Sequence, residues 1–262
     1  MTPDWQTLFA PRPLGSRAVE LTLPGLAGPV WFASARAADL LELPPETFLT
    51  AAESARAGEF KFGQPRENFT LGRLAGKLAL ERGRLRPQPP DADVSVRAPI
   101  EAALGAALSR LEIGNGKQGE PVVRAGDWKS PTLAVSLSHV NGLGVAVAFP
   151  AGARVGLDLE LVDARRAETV RKGVPLSAEE EAWLKVAELP EATALLLLWT
   201  ARESLGKALG CGLACKWESL ATRQIEPAGD GIFSGQFLHH PQFRCWSWVG
   251  PDAVMSLAVE TA

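Results

Sequence analysis

The sequence has no excess of positive charge: 27 Lys and Arg stand against 30 Asp and Glu, for a net charge of −3. With an isoelectric point of about 5.8, it is not expected to bind nucleic acid through a general positive field, and any charge-guided partner must meet a local patch. Long apolar runs are missing too. No segment approaches the roughly 18 uninterrupted apolar residues of a membrane span, and the opening "MTPDWQTLFAPRP" has neither a basic start followed by an apolar run nor a cleavage pattern. A cytoplasmic location without membrane attachment is therefore expected. Cysteine is scarce: Cys211, Cys215 and Cys245 are an odd number, and the first two lack the pair spacing of common zinc sites. Reduced structural thiols are expected. A Walker loop, a Gly-x-Gly-x-x-Gly fingerprint and a Gly-x-Ser-x-Gly elbow are absent, which removes the ordinary nucleotide folds and a Ser-His-Asp hydrolase.

What remains is a chain of 262 residues, 46% hydrophobic and 22% charged, long enough for one large or two small globular domains with sizeable cores. Helices are predicted over Pro45–Phe60, over "RENFTLGRLAGKLALERG" with Leu71, Leu74 and Leu78 inward and Gly83 at its end, and over "PIEAALGAALSRL". The period then changes: "PVVRAG", "TLAVSLSH", "GLGVAVAFP" and "RVGLDLEL" are short, alternating or β-branched, and read as strands joined by tight turns. Helical spacing returns in "VDARRAETVRKG", in "LSAEEEAWLKVAEL" with Ser177 and Glu180 as a capping box, and in "WTARESLGKALG". Three strand-like stretches, "GIFSGQFL", "FRCWSWVG" and "AVMSLAVE", close the chain. This order predicts an α+β protein of two halves, residues 1–151 and 152–262, rather than one alternating parallel sheet. Pro-rich "RLRPQPPDADVSV" reads as a surface connection inside the first half.

Several residues could do chemistry. Asp158 and Glu160 in "VGLDLEL" are two apart on a strand and share a face, with Leu157, Leu159 and Leu161 on the other. Paired acids are either solvated or share a cation, and magnesium is the hard ion that takes such oxygens together with substrate phosphates. In "WTARESLGKALG" an apolar stripe of Leu198, Ala201, Leu205 and Leu209 leaves Trp199, Glu203 and Lys207 along another face. Glu203 and Lys207 could be a solvated helix pair, or Glu203 could supply a third carboxylate. Ser138 and His139 end a strand before an Asn-Gly turn, a place that equally suits a structural histidine.

These pieces stand in a recognisable order. "GLDLE", followed some forty residues later by "WTARESLGKALG" and preceded by "SLSH" and "GEPVV", resembles the Sfp-type 4′-phosphopantetheinyl transferases, with likeness from about Leu49 to Leu213. The resemblance implies a pseudo-twofold monomer of two α+β halves with coenzyme A in the cleft between them. It also implies transfer of the 4′-phosphopantetheine arm to a serine of an acyl or peptidyl carrier protein, releasing adenosine 3′,5′-bisphosphate. Asp158, Glu160 and Glu203 would be ligands of magnesium or manganese, Glu203 also the base, and Lys207 the phosphate contact; Ser138 and His139 would grip the 3′-phosphate, with Arg73 near the diphosphate. Arg202 stands where the family has Lys and is assigned to the cofactor. Glu120 replaces the lysine of Gly-Lys-Pro, with Lys117 as a possible compensation. Arg165, Arg166, Arg171 and Lys172 form the expected docking patch for an acidic carrier. A non-catalytic relative that binds carrier protein or coenzyme A, and another magnesium-dependent phosphotransferase or phosphodiesterase, are the alternatives.

Overall fold

The computed structural model describes residues 4–10, 12–14, 17–23, 28–84, 100–125 and 132–261, and the Pro-rich connection lies outside them from residue 85 onward. The chain clusters into two units, one of Met1–Phe9, Thr22–Gly28 and Ala153–Ala262, the other of Ala10–Leu21 and Pro29–Gly152. Helix α1 (Trp5–Phe9) belongs to the first of these. The other unit holds β1 (Val19–Leu21), β2 (Val30–Arg36), α2 (Asp39–Glu42), α3 (Pro45–Phe48), α4 (Ala51–Gly58), α5 (Gly63–Arg84), α6 (Ile100–Leu108), β3 (Leu111–Asn115), β4 (Pro121–Ala125), β5 (Leu133–Val140) and β6 (Leu143–Pro150). Its main sheet runs β1-β2-β6-β5, antiparallel throughout, with β3 and β4 as a separate hairpin.

Helix α5 crosses that sheet against β2, β5 and β6. Leu71, Leu74 and Leu78 are buried as their spacing predicts, but so are Phe69, Ala75, Ala79 and Leu80, so the helix is enclosed on more than one side. Gly83 stands inside the last turn, where a Cβ would come within 2.7 Å of the Trp31 ring. The single helix expected over Pro45–Phe60 is two. Thr50 breaks it by capping α4: its hydroxyl accepts from the Glu53 N–H at 3.2 Å, and the Glu53 carboxylate accepts the Thr50 N–H at 2.9 Å. Glu53 is itself buried and also receives Lys77 Nζ at 2.5 Å and the Ile113 N–H at 2.9 Å.

The unit that ends the chain contains β7 (Val155–Leu161), α7 (Ala164–Gly173), α8 (Ala178–Val186), α9 (Glu191–Leu209), β8 (Thr222–Gly229), β9 (Ile232–Phe237), β10 (Phe243–Val249) and β11 (Ala253–Glu260). The strands form one antiparallel sheet in the order β7-β11-β10-β9-β8. Helix α9 lies across β7, β11 and β10, burying Leu195 to Leu198, Ala201 and Leu205. Gly156 makes its close approach possible: a Cβ there would sit 1.9 Å from the Ser204 carbonyl oxygen and 2.5 Å from the Ala208 nitrogen. Gly210 ends the helix in the left-handed conformation, φ 71°.

The mixture of helices and antiparallel sheets is the α+β class read from the sequence. The thiol expectation needs correction. Cys211 and Cys215 form a disulfide, because the turn after Gly210 folds Gly212–Ala214 into a short 3-10 helix and brings the two Cα atoms to 5.8 Å. Cys245 is a buried free thiol, with burial pushing its pKa up to about 12. Among the described residues no helix is long and apolar enough to cross a membrane.

Candidate active site

Strand β7 lies at an edge of its sheet with α9 covering one face, which is why Asp158 is buried on a strand that alternation alone would leave half solvated. The line of Trp199, Glu203 and Lys207 on α9 meets the Asp158 and Glu160 face of β7. At one end, Trp199 Nε1 donates to Glu160 Oε1 at 2.8 Å. At the other, Lys207 Nζ donates to Asp158 Oδ1 at 2.7 Å and to the Leu157 carbonyl at 2.8 Å. Lys207 thus pairs with the strand acid, and the Glu203–Lys207 helix pair is not formed.

Glu203 sits on the same line, and its Oε1 is buried with no hydrogen-bond partner among the described residues. Burial pushes its pKa up to about 7; the charges of Asp158 and Glu160 add to the rise, and those of Lys207 and Arg166 oppose it. A half-buried carboxyl poised near neutrality, beside two further carboxylates, suits proton transfer or cation binding. Among the described residues no group of three His, Cys, Asp or Glu side chains stands ready to hold a metal ion, and Lys207 and Arg166 engage the two strand acids. The donor set still fits a hard divalent cation: the charges of Asp158 and Glu160 raise the cost of ionising Glu203, which keeps a buried oxygen unsatisfied.

Arg166 joins this cluster, although its place in a basic run marked it for partner docking. The Asp163 side chain caps α7 by accepting the Arg166 N–H at 2.8 Å. This turns the Arg166 side chain back to β7, where Nε donates to Glu160 Oε1 at 3.2 Å and Nη2 donates to the same oxygen. An Asp cap three residues after a strand acid and three before an arginine was the available sequence signal. The other basic residues of α7 are exposed; Arg171 pairs with Glu181 at 2.6 Å and Lys172 with Glu168 at 2.6 Å.

Arg202 points elsewhere. Its guanidinium is fully buried, donating from Nε to Glu180 Oε1 at 3.0 Å, from Nη2 to Glu180 Oε2, and from Nη1 to the Trp217 carbonyl at 3.0 Å. Burial drives the Glu180 pKa upward, but the hydrogen bonds and charge of Arg202 outweigh it and hold the carboxyl below its ordinary value. Arg73, Ser138 and His139 belong to the other unit. Arg73 is buried, donates to Asn115 Oδ1 at 3.1 Å and lies 4.3 Å over the Phe69 ring; burial lowers its pKa. Ser138 is buried and His139 exposed at the end of β5. Glu120 and Lys117 are exposed in the turn between β3 and β4, where Glu120 Oε2 accepts the Gln118 N–H at 2.8 Å.

Residues 154–258 match the 4′-phosphopantetheinyl transferase superfamily. The matched stretch covers less than half of the chain and takes in Asp158, Glu160, Glu203 and Lys207, with α7 between them; Arg73, Ser138 and His139 lie outside it. The chain has no match among curated proteins. Similarity to the superfamily over the stretch that carries the carboxylates and the lysine supports a phosphopantetheine transferase.

Proposed function

We propose that this chain transfers the 4′-phosphopantetheine arm of coenzyme A to a serine hydroxyl of an apo acyl or peptidyl carrier protein, releasing adenosine 3′,5′-bisphosphate. The observation that carries the reading is Glu203, half-buried and poised near pH 7 between the β7 carboxylates and Lys207, inside the stretch that matches the superfamily. Asp158, Glu160 and Glu203 are the residues that would hold magnesium or manganese, which supplies positive charge for a developing phosphate anion. Lys207 presents an ammonium that can leave Asp158 for a phosphate oxygen, so positive charge stands where the leaving bisphosphate gains negative charge. Glu203 takes the proton as the serine oxygen bonds to phosphorus and the bond to the bisphosphate breaks. Ser138, His139 and Arg73 are the candidates for the nucleotide's phosphates, and the exposed Arg165, Arg171 and Lys172 of α7 for meeting an acidic carrier.

The test is intact-mass spectrometry of apo acyl and peptidyl carrier proteins incubated with the protein, coenzyme A and magnesium, with a chelated control. A metal-dependent gain of one phosphopantetheine arm is the expected result. A folded protein that modifies no carrier in the set would refute it.

A further inference from the structure

Glu160 is held in an uneven way. Three N–H groups converge on its Oε1: Nε and Nη2 of Arg166 and Nε1 of Trp199. None is directed at Oε2. The donors are themselves fixed. Asp163 caps α7 and anchors the Arg166 backbone, the Arg166 guanidinium lies 4.9 Å from the Trp199 ring centroid, and the Trp199 ring sits 4.8 Å from that of Trp217. A carboxylate whose one oxygen is bound on two sides cannot rotate freely, so its second oxygen keeps one direction.

Resting on the metal site proposed above, we infer that Arg166 is a positioning residue for Glu160, fixing Oε1 so that Oε2 is aimed at a divalent cation, and is not part of the carrier-docking surface. A docking arginine would spend its donors on a partner. Here two donors and the ring contact are directed inward, onto Glu160 of the carboxylate cluster and onto Trp199, whereas the two donors of Arg171 on the same helix go to Glu181, outside the cluster. Groups that hydrogen-bond a ligating side chain from outside typically change metal affinity 10- to 100-fold when removed. That effect is separable from docking, because it acts on cation binding in the absence of any carrier.

The experiment measures Mn2+ binding to the whole chain by electron paramagnetic resonance, without coenzyme A or carrier, and carrier KM in a parallel transfer assay. Arg166→Ala should weaken Mn2+ binding about 10-fold or more, with Arg166→Lys recovering part of the loss. Trp199→Phe, which keeps an aromatic ring and removes the indole donor, should weaken it severalfold. Arg165→Glu should leave Mn2+ affinity within about twofold of wild type and raise carrier KM. An Arg166→Ala protein that binds Mn2+ as well as wild type or better, with a raised carrier KM, overturns the positioning role and returns Arg166 to the docking surface. Wild-type protein that binds no Mn2+ overturns the metal site itself, and this inference with it. Circular dichroism of each variant separates lost binding from lost fold.

Discussion

Replacing Gly156 by alanine tests the contact on which the whole site depends. The added Cβ would meet the Ser204 carbonyl oxygen at 1.9 Å and the Ala208 nitrogen at 2.5 Å. Both are backbone atoms of α9, so no side chain can swing away. Reaching ordinary contact near 3.4 Å requires the helix to back off the strand by about 1.5 Å. Overpacking of this kind costs about 1–3 kcal/mol when side chains can adjust, and a clash with helix backbone belongs at the upper end, about 3 kcal/mol. For a chain of this size that lowers Tm by about 6–12 °C. The same displacement would stretch the Lys207 bonds to Asp158 and Leu157, now 2.7 and 2.8 Å, and a misplacement of about 1 Å at a reacting group costs about 100-fold in rate. Thermal unfolding by circular dichroism and the carrier-modification rate measure the two effects. Gly173→Ala, at the end of α7 with nothing within 4 Å of its Cβ, is the control and should be neutral or slightly stabilising. A Gly156→Ala protein that melts within 2 °C of wild type and transfers at the normal rate would refute the argument.

Arg202→Lys breaks a buried two-pronged pair with Glu180 and should cost about 3 kcal/mol, lowering Tm with coenzyme A KM within about twofold; a 10-fold rise in that KM at unchanged Tm would restore a cofactor role. Glu203 has a folded-state pKa raised to about 7, so the folded protein binds its proton more tightly than the unfolded chain does. The stability this proton confers is complete below about pH 4.5 and is lost as pH rises through 7. After discounting for solvent screening, the metal-free protein should lose about 1–2 kcal/mol over that window, and Glu203→Gln should flatten the denaturant-derived slope; an unchanged slope would contradict the pKa. Cys211→Ser opens a ring spanning only four positions and should cost about 2 kcal/mol or less, read as a small Tm loss that a reductant reproduces in wild type.

The five residues of the carboxylate cluster were legible because two simple periods suffice to align them. Spacing of two put Asp158 and Glu160 on one strand face, and spacing of four put Trp199, Glu203 and Lys207 on one helix line. Partner choice was not legible. Within the helix, Glu203 and Lys207 are natural mates, but the close approach at Gly156 brings the Asp158 carboxylate within reach of Lys207 and leaves Glu203 with a buried, unsatisfied oxygen. Strands β1, β2, β3 and β8 carry no clear strand pattern in the sequence, for local reasons. In β2, "VWFASAR" mixes small residues into an apolar run with no alternation; β8 is an edge strand with Pro227 and two register shifts. Helical spacing over Pro45–Phe60 does not reveal the break at Thr50, whose hydroxyl competes for backbone N–H groups and starts a new helix.

The arginine at position 202 shows why a motif departure cannot be weighed without its surroundings. Read as a cofactor group, a planar fork in place of a compact ammonium looks like damage to a phosphate site. Buried, the fork is what the position demands: Glu180 already accepts the Ser177 N–H at 2.8 Å as the acid of its capping box and the Thr222 N–H and hydroxyl at 2.9 Å each. A carboxylate so enclosed needs a partner that fills both oxygens and is itself easily desolvated, and guanidinium meets both conditions better than ammonium. Arg202 also donates to the Trp217 carbonyl, and the Trp217 ring lies against Trp199, which holds Glu160. The substitution therefore reaches the carboxylate cluster through the position of α9 and one indole, so its effect on activity should scale with stability and not with coenzyme A affinity.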